Sequence, residues 1–382
     1  MKTTAETVII GGGITGCATA FELARQGMKN VVLLEKGYLA SGATGRCGAG
    51  VRQQFGTRIN CLMSKASIEL FEHLNDYLGF DGDIEFKQGG YLFLAHTGTA
   101  MAQFAKNVAL ENSLGIPARL CTPEEAKEIV PHLNTEGLAG ASFCAEDGHL
   151  NPFKVTQAYA EAAQRLGVEI RKFTEATGLI MEAGRVAGVR TAAGDIATPL
   201  VLNATGSHAP LIAKSAGVDL PIIGERHQIL VTEPVAPIQK PMVISFQYGV
   251  YCQQTPHGSF IMGIGDPHEP KGFDIGHSWE FLHHVAKMAA WLLPPLAGIR
   301  IVRQWSGLYD LTEDNQPVLD EAPAGSGHFI AAGFSGHGFM LGPAIGRIMA
   351  AKMLGEEPPI DVSALNLGRF ARRELVLEPS VV

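Results

Sequence analysis

Thr7-Val8-Ile9-Ile10-Gly11-Gly12-Gly13-Ile14-Thr15-Gly16, near the start of a 382-residue chain, is a β-type run that breaks into a glycine turn and opens a helix. Helical spacing then runs from Ile14 to Gln26 and stops at Gly27, and Asn30 to Leu34 is again β-type before Glu35. Such a strand–helix–strand unit predicts a parallel sheet with its crossover helix on one face. The glycines fit GxGxxG in the context that gives the pattern meaning. Gly11 makes the tight turn, Gly13 lets the backbone approach a pyrophosphate, and Gly16 permits close helix–strand packing. Ile14 and Thr15 then lie at a helix N-terminus able to solvate phosphates. Glu35, followed by Lys36, would accept hydrogen bonds from ribose hydroxyls. The motif alone leaves FAD and NAD both open.

Further along, Ser41-Gly42-Ala43-Thr44-Gly45-Arg46 offers backbone donors, hydroxyls and a cation where a pyrophosphate or flavin would lie. Leu200-Val201-Leu202-Asn203-Ala204-Thr205-Gly206 is an apolar strand ending in small residues that allow close backbone approach. Gly333-Phe334-Ser335-Gly336-His337-Gly338-Phe339-Met340 precedes a helix whose N-terminal dipole would favour negative charge. Other helices are expected from Asn60 to Leu78, after the caps Thr122 and Asn151, and from Ser278 to Leu293. Residues 221–270 read as antiparallel β, with alternation from Gln228 to Thr232 and from Ser259 to Gly263, and a strand pair is expected up to Leu311.

Composition narrows the classes of function. With 30 Lys+Arg against 38 Asp+Glu the chain carries a formal charge of −8, and no basic tract marks a nucleic-acid footprint. The 45 glycines show no G-X-Y period, so they read as tight turns and close approach to a ligand. Six cysteines without a CxxC pair suit a reducing, cytoplasmic setting and predict neither a disulfide framework nor a metal cluster. The apolar stretches Val8 to Phe21 and Phe329 to Gly346 read as strand and buried helix rather than signal peptide or transmembrane segment. His277, Glu280 and His284 share a helix face that reads as solvated rather than as a metal site.

Taken in order, GGGITG with Glu35, SGATGR, NATG, GERHQILVTEP at 224–234 and GFSGHGFM at 333–340 resemble the D-amino-acid-oxidase superfamily of flavoproteins. That superfamily includes glycine oxidase, the sarcosine oxidases and dye-linked proline dehydrogenases. The resemblance implies an α/β fold: a discontinuous, Rossmann-like FAD-binding domain over 1–85, 146–220 and 300–360, and a substrate domain of mixed, largely antiparallel sheet over 86–145 and 221–299. Residues 361–382 form a tail read as peripheral. FAD would be held by Gly11, Gly13, Ile14, Thr15, Gly16, Glu35, Lys36, Ser41, Ala43, Thr44, Gly45, Arg46, Gly206, Gly333, Gly336, His337, Gly338, Phe339 and Met340.

By the same resemblance the catalytic residues are Arg52, holding a substrate carboxylate, Tyr251, and His337 beside the flavin. Arg46 and Arg58 are other candidates for the carboxylate. Relatives with covalent FAD carry a cysteine where Gly307 stands, so FAD is expected to be noncovalent. Heterotetrameric relatives attach FMN to a histidine where Pro152 stands, with His149 nearby; a second flavin, FMN, would then be shared noncovalently at a subunit interface. Sarcosine oxidases carry a lysine at the position of Met340, which puts direct transfer of their substrate geometry in doubt. The implied activity is oxidation of a small amino acid or secondary amine of the proline/sarcosine class to its imine, by hydride transfer to flavin N5. The chain would serve as the beta subunit of a hetero-oligomer, with an alpha subunit or another electron acceptor as partner. The rival is a stand-alone glycine-oxidase-type or D-amino-acid oxidase that makes hydrogen peroxide. A NAD-dependent dehydrogenase and a non-catalytic electron-transfer subunit are the readings from other classes.

Overall fold

The computed structural model describes residues 3–266 and 268–380. Thr7–Ile10 is buried along its whole length, as an apolar run at the centre of a parallel sheet must be. It pairs in parallel register with Val31–Leu34 on one side (Ile9 opposite Leu33) and with Leu200–Asn203 on the other (Ile9 opposite Leu202). The six-stranded sheet runs Val318–Glu321, His328–Ala332, Leu200–Asn203, Thr7–Ile10, Val31–Leu34, Glu169–Arg171. Its first-named edge strand alone is antiparallel to its neighbour.

Alternation along the central strand divides two cores. Ile9 and Leu33 join the helices Ile14–Arg25, Pro152–Arg165 and Gly338–Leu354. Val8 and Ile10 face a small antiparallel sheet of Ala176–Glu182, Arg185–Thr191 and Ile196–Ala197. Small residues set the helix contacts: a Cβ on Gly342 would come within 2.6 Å of Ile14 Cγ1, and one on Gly346 within 2.6 Å of Ala18 Cβ. The first turn of Ile14–Arg25 therefore packs on the second turn of Gly338–Leu354, and the two positive helix ends lie about one turn apart.

The second sheet has eight strands in the order Ile301–Leu311, Ile223–Thr232, Phe260–Ile264, Val250–Gln254, Met242–Ser245, Tyr91–Ala95, Gly140–Cys144, Ala118–Cys121. All pairs are antiparallel except Met242–Ser245 with Tyr91–Ala95, which joins the two segments expected to build the substrate domain. Ile301–Leu311 is one long strand paired along its length with Ile223–Thr232, not a strand pair, and it lies in this sheet, which departs from the expected grouping of 300–360 with the nucleotide domain. The expected helix 60–78 divides at His73 into Arg58–Glu72 and Leu74–Leu78. The caps at Thr122, Asn151 and Ser278 all form, Thr122 as a full capping box with Glu125.

The tail is not peripheral. Arg369 is fully buried, forks onto Asp314 at 2.8 and 2.9 Å and reaches the Gln316 carbonyl at 2.7 Å. The Val376 amide also donates to Asp314, at 3.0 Å. Beyond it the Glu378 carboxylate accepts from the amides of Gly56 (2.7 Å) and Thr57 (3.1 Å), the Thr57 hydroxyl (2.7 Å) and Asn60 Nδ2 (3.1 Å), capping the helix Arg58–Glu72. No described helix is long and apolar enough to cross a membrane.

Candidate active site

A cavity of about 910 Å³ opens where the carboxyl ends of the parallel strands meet the large sheet. Its nucleotide end is built from bare backbone. Gly11 has φ +114°, and a Cβ there would sit 2.4 Å from the Ala204 carbonyl oxygen. A Cβ on Gly16 would meet the Gly11 carbonyl at 1.9 Å, so Gly16 lets the turn close without lining the cavity itself. Gly13, Ile14 and Thr15 border the cavity, and the Ile14 amide donates to Thr44 Oγ1 at 3.2 Å.

Glu35 sits at the end of its strand, where one oxygen accepts from the Gly12 amide (2.8 Å) and the other from the Gly37 amide (2.6 Å) and Ser41 Oγ (3.2 Å). These bonds fix the carboxylate at the cavity wall, and its remaining lone pair can serve a ribose. Lys36 Nζ lies 3.1 Å from His208 Nε2, whose ring stacks on Phe273 at 4.7 Å. Ala43 and Thr44 line the cavity from one helical turn, and Ser41 from the loop just before it. Arg46 also lines it, but donates to the carbonyls of Ser41 (3.1 Å) and Ser306 (2.9 Å), tying the loop to the large sheet.

Gly206 (φ +56°), Gly336 (φ +92°), Gly338, Phe339 and Met340 reach the cavity as expected positions. Gly45 and Gly333 do not; they shape the loops, packed against Phe153 and against Thr312. These bare backbone cradles and the two helix N-termini are what an adenine dinucleotide requires, so the residues present fit FAD. Pro152 instead starts the helix Pro152–Arg165, and His149 is buried in a pairing with Gly50, outside the cavity wall.

At the other end stand Arg52, His337 and Tyr251, brought together from three distant segments. The Arg52 guanidinium lies over the Phe55 ring (3.9 Å) and near Phe93 (5.3 Å), and donates to the carbonyls of Gln54 and Ser380. Phe55 in turn meets His337 edge-on at 5.8 Å. Burial and the Arg52 charge push the His337 imidazole down to about 3, so it is neutral at physiological pH. Arg58, the other candidate for the carboxylate, begins a helix outside the cavity wall.

Sequence reasoning missed His227 and Tyr309. His227 lies between Tyr309 (4.3 Å, 7°) and Tyr251 (6.0 Å, 10°), forming a nearly parallel three-ring wall. Burial holds His227 down to about 4. The signal was available, because His227 and Ile229 share one face of the strand Ile223–Thr232 and both line the cavity.

Acidic groups gather behind Arg52. Asp147 accepts from the Gln53 amide (2.7 Å) and Gln54 Nε2 (2.9 Å), and burial raises it to about 7. Glu111 is 1% exposed with Oε2 unpartnered among the described residues, and burial, with Asp147 second, raises it to about 8. Cys47 borders the cavity, but its thiol donates to the Thr44 carbonyl and burial pushes it up to about 12.

The family described as DAO, FAD dependent oxidoreductase, matches residues 6–352. The chain belongs to this family of FAD-dependent oxidoreductases. Sarcosine oxidase subunit beta of Arthrobacter sp is 30% identical over 384 aligned positions, covering 99% of this chain and 94% of that protein. L-proline dehydrogenase from P. horikoshii superposes with a TM-score of 0.92 at 38% identity, covering 98% of this chain and all of that one. Glycine oxidase from Geobacillus kaustophilus superposes with a TM-score of 0.88 at 26% identity, over 96% of this chain and 99% of that one. Together they bear out the expected fold, an FAD domain with a mixed-sheet partner domain.

Proposed function

We propose that this DAO-family oxidoreductase oxidises a small amino acid or secondary amine of the proline/sarcosine class to its imine. The observation that carries this reading is Arg52, a buried guanidinium on the cavity wall, stacked on Phe55 and matched to a carboxylate in charge and fork geometry. Met340 supplies no second cation, so a single carboxylate is the natural ligand. Noncovalently bound FAD supplies the two-electron acceptor. The chain's own residues do the rest. Arg52 orients the carboxylate, the wall of Tyr251, His227 and Tyr309 keeps water from the amine, and neutral His337 and His227 leave the substrate nitrogen without a competing cation. The N-terminus of the helix Gly338–Leu354 favours negative charge at the cavity.

Similarity to sarcosine oxidase subunit beta over nearly the full length supports a role as the beta subunit beside an alpha partner, with FMN as a second flavin between them. Six free cysteines support a cytoplasmic setting. Similarity to glycine oxidase favours the second reading, a stand-alone enzyme that passes electrons to oxygen.

Anaerobic titration of the purified yellow protein with L-proline, D-proline, sarcosine and glycine tests these readings. Bleaching of the flavin band by one of them is expected. Slow recolouring in air marks a dehydrogenase, fast recolouring with peroxide marks the oxidase, and a yellow protein that no small amino acid or secondary amine bleaches would refute the substrate class.

A further inference from the structure

The Arg52 guanidinium has two ring faces beneath it, which fix its plane but not its rotation within that plane. Rotation is fixed by two carbonyls: Gln54 on Nη1, from its own loop, and Ser380 on Nη2, from 328 residues away. Among the described residues no carboxylate pairs with Arg52, although Glu378, Asp147 and Glu111 all lie near enough to act on its charge. Glu378, which could have neutralised it, is occupied by four donors at the start of the helix Arg58–Glu72. Arg52 is thus oriented by neutral acceptors and keeps its charge for a ligand.

Ser380 is itself held in place. Its amide donates to Glu378 Oε1 at 3.0 Å, and its hydroxyl accepts from Asn107 Nδ2 at 2.9 Å. Pro379 fills the space over Gly56, where a Cβ would come within 2.3 Å of the proline ring. The segment is tied upstream through Val376 to the Arg369–Asp314 pair. We infer that residues 377–380 are a positioning element of the substrate site, in which Ser380 sets the angle of the Arg52 fork and Glu378 holds Ser380 against it. This rests on the reading of Arg52 as the carboxylate ligand.

The test uses the FAD-loaded full chain, a version ending at Val376, Glu378→Gln and Arg52→Met. Flavin content and spectrum report folding, titration with pyrrole-2-carboxylate reports carboxylate binding, prolinamide serves as the carboxylate-free probe, and anaerobic bleaching by the active amino acid gives half-saturation and limiting rate. The shortened chain should keep its flavin and its affinity for prolinamide, bind the carboxylate about 10- to 100-fold more weakly, and keep its limiting bleaching rate within about threefold, as expected when the weakened contact holds ground state and transition state alike. Glu378→Gln should weaken the carboxylate by about 3- to 10-fold with the same split, and it decides the matter if the shortened chain loses flavin. Native carboxylate affinity in a flavin-loaded shortened chain, or in Glu378→Gln, overturns the inference while Arg52→Met still abolishes binding. Native affinity in Arg52→Met overturns the reading of Arg52 itself.

Discussion

Glu111→Gln should make the protein progressively more stable than wild type as pH rises. Glu111 is buried behind Arg52 with one oxygen unpartnered among the described residues, and its carboxyl is raised from an ordinary 4.5 to about 8. The folded state therefore keeps a proton that the unfolded chain gives up above 4.5. Stability linked to this proton is fully present below 4.5 and is lost as pH climbs to about 8. Between about pH 5.5 and 8.5 the loss amounts to roughly 3 kcal/mol, at about 1.36 kcal/mol for each tenfold fall in proton activity while only the unfolded carboxylate is ionised. Glutamine carries no such proton, so the variant's curve should lack this slope. Urea unfolding of both proteins across that range, followed by tryptophan fluorescence, measures the difference. Asp147 titrates in both, and because it is coupled to Glu111 the difference reports the pair. Parallel curves would mean that Glu111 is ionised in the fold and paired with Arg52, and the description of that corner would be wrong.

Replacing Arg369 with Met should cost about 3–5 kcal/mol in the same unfolding assay, because Asp314 would be left buried without its partner; a loss below about 1 kcal/mol would show the tail to be dispensable for stability. Gly11→Ala should abolish FAD retention on gel filtration while far-ultraviolet dichroism stays native, since the added Cβ meets the Ala204 carbonyl at 2.4 Å in a left-handed turn; full flavin content would refute the cradle. Acid precipitation should leave the flavin in the supernatant, because Gly307 offers no thiol and Cys47 is a protonated thiol held by Thr44; a yellow pellet would refute this. The limiting bleaching rate should show no ionisation from His337 above about pH 4, since its imidazole is held down to about 3. A wild-type pKa near 6.5 that vanishes in His337→Asn would contradict it.

The nucleotide half was legible because its signals are local. The run Thr7–Ile10, the turn at Gly11 and the acid at Glu35 lie within thirty residues, and each constrains the next. Lining positions Ser41, Ala43, Thr44, Gly206, Gly336 and Gly338 also emerged, since a backbone approached by a ligand must be small, and His337, Phe339 and Met340 followed from the motif that carries those glycines. Gly45 and Gly333 were placed on the cofactor for the same reason, although their smallness serves packing against Phe153 and Thr312. What stayed hidden depends on distance. The burial of Arg369 comes from Asp314 and Gln316, and no periodicity in a polar tail reports such a pairing. The strand Ile301–Leu311 read as two pieces because its alternation is broken by Ser306 and Gly307 facing the Arg46 loop. His227 is hard to read from sequence because a polar ring at the start of the alternation Gln228 to Thr232 looks like a solvent-facing position.

The order of strands carries a consequence for biosynthesis. Leu200–Asn203 is flanked by Thr7–Ile10, almost two hundred residues before it, and by His328–Ala332, well over a hundred residues after it. The large sheet is likewise closed by pairing Tyr91–Ala95 with Met242–Ser245. At roughly 5–20 residues per second a ribosome needs on the order of 15–60 s between the first of these strands and the last. Throughout that interval the nascent chain presents an open, strongly apolar strand edge, so completion of this sheet waits on the synthesis of His328–Ala332, and chaperone occupancy during translation becomes a determinant of yield.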